Sequence, residues 1–335
     1  MSEITLLAID LAKSVFQLHG IDDQGRARLQ RRVSRAQLMP ALSQLPCCTV
    51  VMEACGSAHY WGRRIRAAGH TVRLLAPQHV KAFNRGQKND RNDAQAIACA
   101  ARQPGMPEVA LKSEEQQAIL ALHRLRERMV HERVARVNQL HGLAAEFGVL
   151  LPHTPVRLRR VLREHLDAAA LPALLEPQLR LQLAYLEHLC EQLAQLTERI
   201  KQLAQDSAPC QLLMRARGVG PLIATAFACQ IGDARTFRNG RQVAAWLGLV
   251  PRQHSSANHT RLLSITKRGD PYLRKLLVHG ARSALRVAPR HEDPISRWAL
   301  SVRERRGANR AAVALANKLA RRLWASLRYP EAIAA

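Results

Sequence analysis

Apolar residues recur along this chain in three patterns, and each predicts a different kind of element. Ile4-Thr5-Leu6-Leu7-Ala8-Ile9 is a short, nearly continuous apolar run that ends on Asp10, as expected of a buried strand. Val15 to His19 and Arg26 to Val33 read as two further strands around the turn Asp22-Asp23-Gln24-Gly25, which makes a meander. A helix capped by Ser34 is expected next. Cys47 to Met52 then reads as a buried strand ending on Glu53, Ala58 to Ala68 as a helix stopped by Gly69, and Thr71 to Leu75 as another strand. The run Ala94 to Ala101 favours a helix opened by Asp90 and Asp93.

Past residue 110 the period becomes helical. No proline interrupts Ser113 to Phe147, where Leu122, Leu125, Met129, Val137, Leu140, Ala144 and Phe147 form a broken apolar stripe. Pro152 and Pro155 break the chain. From about Pro177 to Gln205, Leu186, Leu189, Leu193, Leu196, Ile200 and Leu203 alternate three and four apart, which is a heptad seam. Such a seam packs either against helices of its own chain or against another subunit. Beyond it, Leu213 to Ala224 reads as helix, tight Gly218-Val219-Gly220 turn, helix. A helix-hairpin-helix uses that arrangement to offer backbone amides to phosphates, with Arg215 and Arg217 adding charge. An ordinary helix-helix turn is the alternative. Trp246 could stack on a base, but its spacing favours the core.

Charge adds a partner to this outline. The chain has 51 Lys and Arg against 26 Asp and Glu, a net +25, so a polyanion is expected, with nucleic acid as the leading candidate. Residues 1–110 carry +7, 111–208 carry +1 and 209–335 carry +17. These steps divide the chain into an acid-bearing α/β domain, a helical coiled-coil spacer and a basic, mainly helical domain. No apolar run reaches the roughly 18 residues of a membrane-spanning helix, and the start lacks a basic signal segment, so a cytoplasmic or nucleoid location without a membrane partner is expected. Seven cysteines without a C-x-x-C pair read as small buried hydrophobes in a reducing compartment. His254 and His259 are too few for a zinc site. No P-loop or G-x-G-x-x-G occurs, so nothing points to ATP or a dinucleotide.

Four carboxylates carry the candidate chemistry. In the order βββαβαβα, Asp10 and Glu53 end the first and fourth strands while Asp90 and Asp93 lie three apart on one face of a late helix. This is the layout of the ribonuclease H-like (Holliday-resolvase-like) fold. Four acids brought together repel unless cations neutralise them, and oxygen ligands select hard ions such as Mg²⁺ or Mn²⁺. The alternative for each acid is a helix cap or a strand terminator.

Three segments carry a family resemblance. Ala8-Ile9-Asp10-Leu11-Ala12-Lys13, Val51-Met52-Glu53-Ala54-Cys55-Gly56 and Lys88-Asn89-Asp90-Arg91-Asn92-Asp93-Ala94 resemble the acidic motifs of the DEDD transposases of the insertion-sequence one-ten family, and more narrowly its one-one-one-one subgroup. The resemblance covers nearly the whole chain. It implies an RNA-guided DNA recombinase in which a structured non-coding bridge or seek RNA chooses the DNA sites, and a homodimer or homotetramer joined through the coiled coil.

It also implies a serine nucleophile in the polar stretch after Pro251, which by composition alone is a flexible phosphate-contact loop. Ser256 is the closest match, with Ser255 beside it and Ala257 where the family commonly has glycine. Arg252 and Arg261 flank this loop, and Lys267, Arg268, Arg274 and Lys275 follow in a second matching segment that can neutralise phosphates. Two other readings stay open: a metal-dependent junction nuclease that cuts without joining, and a non-catalytic nucleic-acid-binding protein whose acids are only caps.

Overall fold

The computed structural model describes residues 3–84, 89–256 and 261–331. The backbone divides into two compact units, Met1–Gln117 with Ile231–Thr236, and Ala118–Gln230 with Phe237–Ala335.

The first unit is built on a five-stranded sheet. Strands β1 (Leu6–Leu11), β2 (Val15–Ile21) and β3 (Ala27–Ser34) form the expected antiparallel meander, and β4 (Thr49–Glu53) and β5 (Thr71–Leu75) add in parallel to give the order β3-β2-β1-β4-β5. Side chains alternate between the faces of a strand, so the two apolar clusters sort by parity. Leu7, Ile9, Val50 and Met52 pack on one face with Leu38 and Leu42 of α1 (Leu38–Ser43) and Trp61 and Ile65 of α2 (Ala58–Ala67). On the other face, Ala8 and Val51 meet Ala96, Ile97, Ala100 and Ala101 of α4 (Asp90–Ala101). A short helix α3 (Pro77–Val80) leads toward α4. A sheet covered on both faces explains why Leu7-Ala8-Ile9 of β1 and Val50-Val51-Met52 of β4 are continuous apolar runs rather than alternating.

One helix start differs from expectation. Ser34 is the last residue of β3, and α1 begins after Gln37, whose side-chain oxygen accepts from the Ser34 amide at 3.1 Å. The β2–β3 pairing continues through Val15 and Ser34, so the ladder uses the residue that would otherwise cap.

The second unit is helical apart from one small hairpin. Helices α5 (Glu114–Ala145), α6 (Pro155–Asp167) and α7 (Glu176–Gln205) share a core of Val137, Leu140, Leu158, Leu162, Leu166, Leu179, Leu183 and Leu186. Pro155 thus opens a helix rather than only breaking one, because the first turn needs no amide from it. In the α7 seam Leu186, Leu189, Leu193 and Ile200 are buried within the single chain, while Leu196 and Leu203 are half-buried.

Helices α8 (Ala208–Met214) and α9 (Pro221–Ile231) flank the Gly-Val-Gly turn, and α10 (Gly240–Trp246), α11 (Pro271–Val287), α12 (Pro294–Arg306) and α13 (Ala308–Arg328) complete the unit. The basic tail is two helices broken at Gly307, and the second buries Leu315, Leu319 and Leu323 while packing on α10, α11 and α12. Trp246 is half-buried and meets Phe237 edge-on at 5.4 Å, so it belongs to packing, as its spacing indicates.

A buried polar chain ties α5, α9 and α11 together. The Thr225 hydroxyl donates to the Pro221 carbonyl at 2.7 Å, so it accepts from His123 Nε2–H at 2.9 Å. His123 Nδ1 then accepts from the Tyr272 hydroxyl, also at 2.9 Å. This arrangement needs a neutral imidazole, and burial lowers the His123 pKa to about 4 while raising that of Tyr272 to about 12.

Two predictions follow from these contacts. Gly280 on α11 faces Gly218 so closely that a Cβ on Gly280 would lie 2.3 Å from the Gly218 carbonyl oxygen and 2.6 Å from Ile223. Gly280→Ala should therefore lower stability by roughly 1–3 kcal/mol in denaturant unfolding, the usual cost of overpacking. The second concerns pH. His123 binds its proton more weakly folded than unfolded, where its pKa is near 6.5, so its contribution is whole above pH 6.5 and is lost as pH falls toward about 4. That loss amounts to about 3 kcal/mol. Thermal midpoints of the wild type should drop across this window, and those of His123→Gln should drop less steeply.

Candidate active site

The register of two parallel strands places the first pair of acids. Ile9 lies opposite Met52, so the next residues, Asp10 as the last but one of β1 and Glu53 as the last of β4, lie at neighbouring strand ends on the same edge of the sheet. Both have the parity of Ala8 and Val51, which face α4. Asp93 lies in the first turn of that helix.

Three of the acids are near enough to act on one another. Burial, then the negative charge of Asp10, then that of Asp93 raise the pKa of Glu53. Burial and the charges of Glu53 and Asp10 likewise push the Cys55 thiol up. Asp90 is exposed as the first residue of α4, and the charge acting on Glu53 from this helix is that of Asp93.

Neither aspartate of α4 is the helix cap. The cap is Asn89, whose side chain accepts from the Asn92 amide at 2.9 Å, and this removes the simplest alternative employment for Asp90. Asn84, which the sequence reading did not single out, donates from Nδ2 to Asp93 Oδ1 at 2.5 Å. Its neighbourhood with Asp93 depends on how the chain returns into α4, and no local pattern encodes that. Asn89 could have been found, since Asn directly before a helical run is a standard cap. Lys88 of the same motif lies outside the described residues.

The donor set fits a hard divalent cation in kind: carboxylate oxygens are hard ligands, and a bound cation would offset both the burial of Glu53 and the repulsion from Asp10 and Asp93. Among the described residues, no three His, Cys, Asp or Glu side chains converge closely enough to hold a metal ion as they stand.

The serine loop belongs to the second unit, on a hairpin of β6 (Pro251–Gln253) and β7 (Leu262–Ile265). Ser256 is exposed, and the Ser255 hydroxyl accepts from Gln253 Nε2 at 2.9 Å. Ala257 and His259 lie outside the described residues. The base of the hairpin is locked. The Thr266 amide donates to the Val250 carbonyl and the Lys267 amide to that of Gly248. Arg274 donates to the Leu247 and Arg268 carbonyls at 3.0 and 2.8 Å. Gly269 has φ of 74°, and a Cβ there would lie 2.0 Å from the Trp246 carbonyl oxygen, so only glycine fits.

The basic residues divide by what they already touch. Arg217 pairs with Asp293 at 2.6 Å and holds that carboxyl well below the usual range. Lys275 pairs with Glu127 and lies over the Tyr272 ring. Arg252 donates to Ser264 Oγ at 3.1 Å. Arg215, Arg261, Lys267 and Arg268 are exposed or half-exposed around the turn and the hairpin. Gly218, with φ of 86°, is spent on the close approach to Gly280, whereas a Cβ on Gly220 would meet open space.

An α/β unit with acids gathered at one sheet edge, joined to a basic helical unit with a serine hairpin, defines a nucleic-acid-processing class of protein, and comparison with known proteins agrees. A DEDD transposase model matches residues 7–148, and the model of the transposase IS116/IS110/IS902 family matches residues 210–296. The chain is 47% identical over 327 residues to a protein of Pseudomonas aeruginosa named as a family 20 transposase, covering 97% of each chain. It is 43% identical to the transposase for insertion sequence element IS1111A of Coxiella burnetii, over 98% of this chain and 90% of the relative. With the transposase for IS1328 of Yersinia enterocolitica it shares 37% identity over 97% of both. The chain belongs to the IS110 family of transposases.

The shared neighbourhood of the acids can be checked directly. Without divalent cations, Glu53 should titrate above an ordinary glutamate in carboxyl NMR, and Asp10→Asn should move it down. An unchanged Glu53 titration in Asp10→Asn would separate the two acids.

Proposed function

We propose that this chain is an RNA-guided DNA recombinase that moves an insertion sequence by cutting DNA strands and rejoining them through a phosphoserine link at Ser256. The reading rests most heavily on one observation, the parallel register that brings Asp10 and Glu53 to neighbouring strand ends on the face covered by α4, whose first turn carries Asp93. The strand order β3-β2-β1-β4-β5, with acids at the ends of β1 and β4 and a third on α4, supports a ribonuclease H-like fold for the first unit.

Asp10, Glu53 and Asp93, with Asp90 at the rim, would hold Mg²⁺ or Mn²⁺. A divalent cation bound there supplies charge neutralisation for the phosphate oxygens of an in-line displacement. The remaining chemistry falls to the chain. Ser256 Oγ forms a bond to phosphorus as the P–O bond to the departing strand breaks, so the phosphodiester energy is kept and a strand hydroxyl can later displace the serine. Exposed Arg261, Lys267 and Arg268 would lower the cost of charge on the phosphate. Arg274, committed to two carbonyls, and Gly269 would hold the hairpin rather than touch DNA.

The RNA guide and the dimer or tetramer rest on the family resemblance, and the excess positive charge is compatible with a second nucleic acid. No described helix is long and apolar enough to cross a membrane.

The experiment that tests the reading incubates full-length protein with its DNA ends and the RNA transcribed from the flanking DNA, then looks for a denaturant-resistant protein–DNA adduct. Ser256→Ala should lose adduct and recombinant product while still binding RNA, and Asp10→Ala, Glu53→Ala or Asp93→Ala should abolish the divalent-dependent chemistry. Loss in Ser255→Ala instead would shift the nucleophile by one residue. If neither serine matters, hydrolysis without joining becomes the better account.

A further inference from the structure

On the sheet face opposite α4 lies an aromatic and cationic group that the strand-transfer chemistry does not use. Three rings step outward from the core. Phe16 meets Trp61 edge-on at 5.3 Å, and Trp61 meets Tyr60 edge-on at 5.1 Å. Phe16 and Trp61 are buried, whereas Tyr60 is 39% exposed. Tyr60 is therefore a surface ring fixed from below by two buried ones.

Two guanidiniums lie over it near the outer limit of cation–π contact, farther away than a stacked group would be. Arg35 Cζ lies 6.0 Å from the Tyr60 ring centre and 5.0 Å from that of Trp61, while Arg64 Cζ lies 5.8 and 5.5 Å from the same centres. Arg64 also donates to the Tyr60 hydroxyl at 3.1 Å, which directs its guanidinium, and the Arg35 amide donates to the Ser14 carbonyl at 2.9 Å, which fixes the backbone from which its side chain extends. Among the described residues, neither guanidinium has a carboxylate at salt-bridge distance. Two like charges held near one ring without a counter-charge repel each other, and an anion between them would remove that cost.

Topology puts this group at the acidic edge. β1 ends just after Asp10, and Ser14, bonded to Arg35, lies in the turn that follows. β4 ends on Glu53, and Tyr60 lies in the first turn of the helix that comes next. The shared edge has acids on the α4 side and Tyr60 with its arginines on the α2 side.

We propose that Tyr60 is a stacking platform for an unpaired nucleobase, with Arg35 and Arg64 taking the phosphates on either side of it. A partly exposed aromatic ring with cations beside it is the chemistry that holds single-stranded nucleic acid without reading its sequence, because every base has a π-face. In duplex the bases are already stacked and their faces are covered, so the preferred ligand is a single strand. The proposal rests on reading the chain as an enzyme of nucleic acid, and it concerns a surface separate from the acids.

The test uses the full-length chain in EDTA with short oligonucleotides carrying 2-aminopurine, whose fluorescence is quenched on stacking. Omitting divalent cations makes the readout indifferent to the acidic site, so quenching here, together with no strand chemistry once Mg²⁺ is restored, would sink that reading and leave this one standing. Wild-type protein should bind and quench single strands in preference to duplex. Tyr60→Ala should weaken binding about tenfold and lose the quench, as removal of one stack does, and Tyr60→Phe should keep both. Arg35→Gln and Arg64→Gln should each reduce the salt dependence by about 0.7 in slope, one phosphate apiece. Deoxyribose and ribose strands run in parallel: quenching of either supports the platform and identifies the strand it takes, and quenching of neither overturns it. Equal binding by Tyr60→Ala and wild type would overturn it too, as would a Tyr60→Phe loss as large as that of Tyr60→Ala, which would assign the effect to the hydroxyl bond with Arg64. Because Tyr60 and both arginines are exposed, unchanged thermal midpoints should accompany the binding losses.

Discussion

Parallel pairing of β1 with β4, in the register that sets Ile9 against Met52, is the constraint on which the candidate site depends. Parallel neighbours need a long crossover, and here the crossover includes β2, β3 and α1, so Asp10 and Glu53 are far apart in sequence yet adjacent at one edge. A slip of one residue would turn Glu53 to the α2 face and bring Met52 onto the α4 side. The apolar clusters oppose such a slip, because Leu7, Ile9, Val50 and Met52 must all reach the same core. The packing that stabilises the sheet thereby holds the carboxylates near one another, and the pKa of Glu53 is raised first by its burial and then by the charges of Asp10 and Asp93.

The second unit shows how a basic segment can be divided between structure and ligand. Arg217, Arg274 and Lys275 are the kind of residue that a charge map assigns to phosphates, yet each is already bound to the fold, to Asp293, to two carbonyls and to Glu127. An arginine forked between carbonyls orients a loop more rigidly than a solvated one could, since its planar donors fix direction as well as distance. What is left for a polyanion is the set around the hairpin, Arg261, Lys267 and Arg268, with Arg215 at the Gly-Val-Gly turn. The glycines divide in the same way, with Gly218 and Gly269 spent on backbone contact.

Local pattern carried the first unit a long way. The meander, the buried strands and the helix opened at Asp90 are where alternation and turn residues put them, because those signals act over a few residues. Motif order also carried the family, which the similarity to other transposases over nearly the whole chain bears out. Ser34 was misassigned because a strand partner some twenty residues away claimed it, and cap preference does not register such a competitor. The α7 seam has the period of a coiled coil in either setting, and only the structure shows Leu186, Leu189, Leu193 and Ile200 buried within the chain.

The sequence by itself determined most elements of the first unit, which residue types could carry the chemistry, and that a polyanion is the expected partner, since these follow from period, composition and net charge. Only the tertiary structure decided that Asp93, rather than Asp90, acts on Glu53, that Asn84 holds Asp93, and that Tyr60 stands partly exposed with Arg35 and Arg64 beside it. The physical reason is distance. Coulombic coupling and ring stacking act over a few ångströms in space between residues that lie many positions apart along the chain, and strand register and helix docking alone convert one separation into the other.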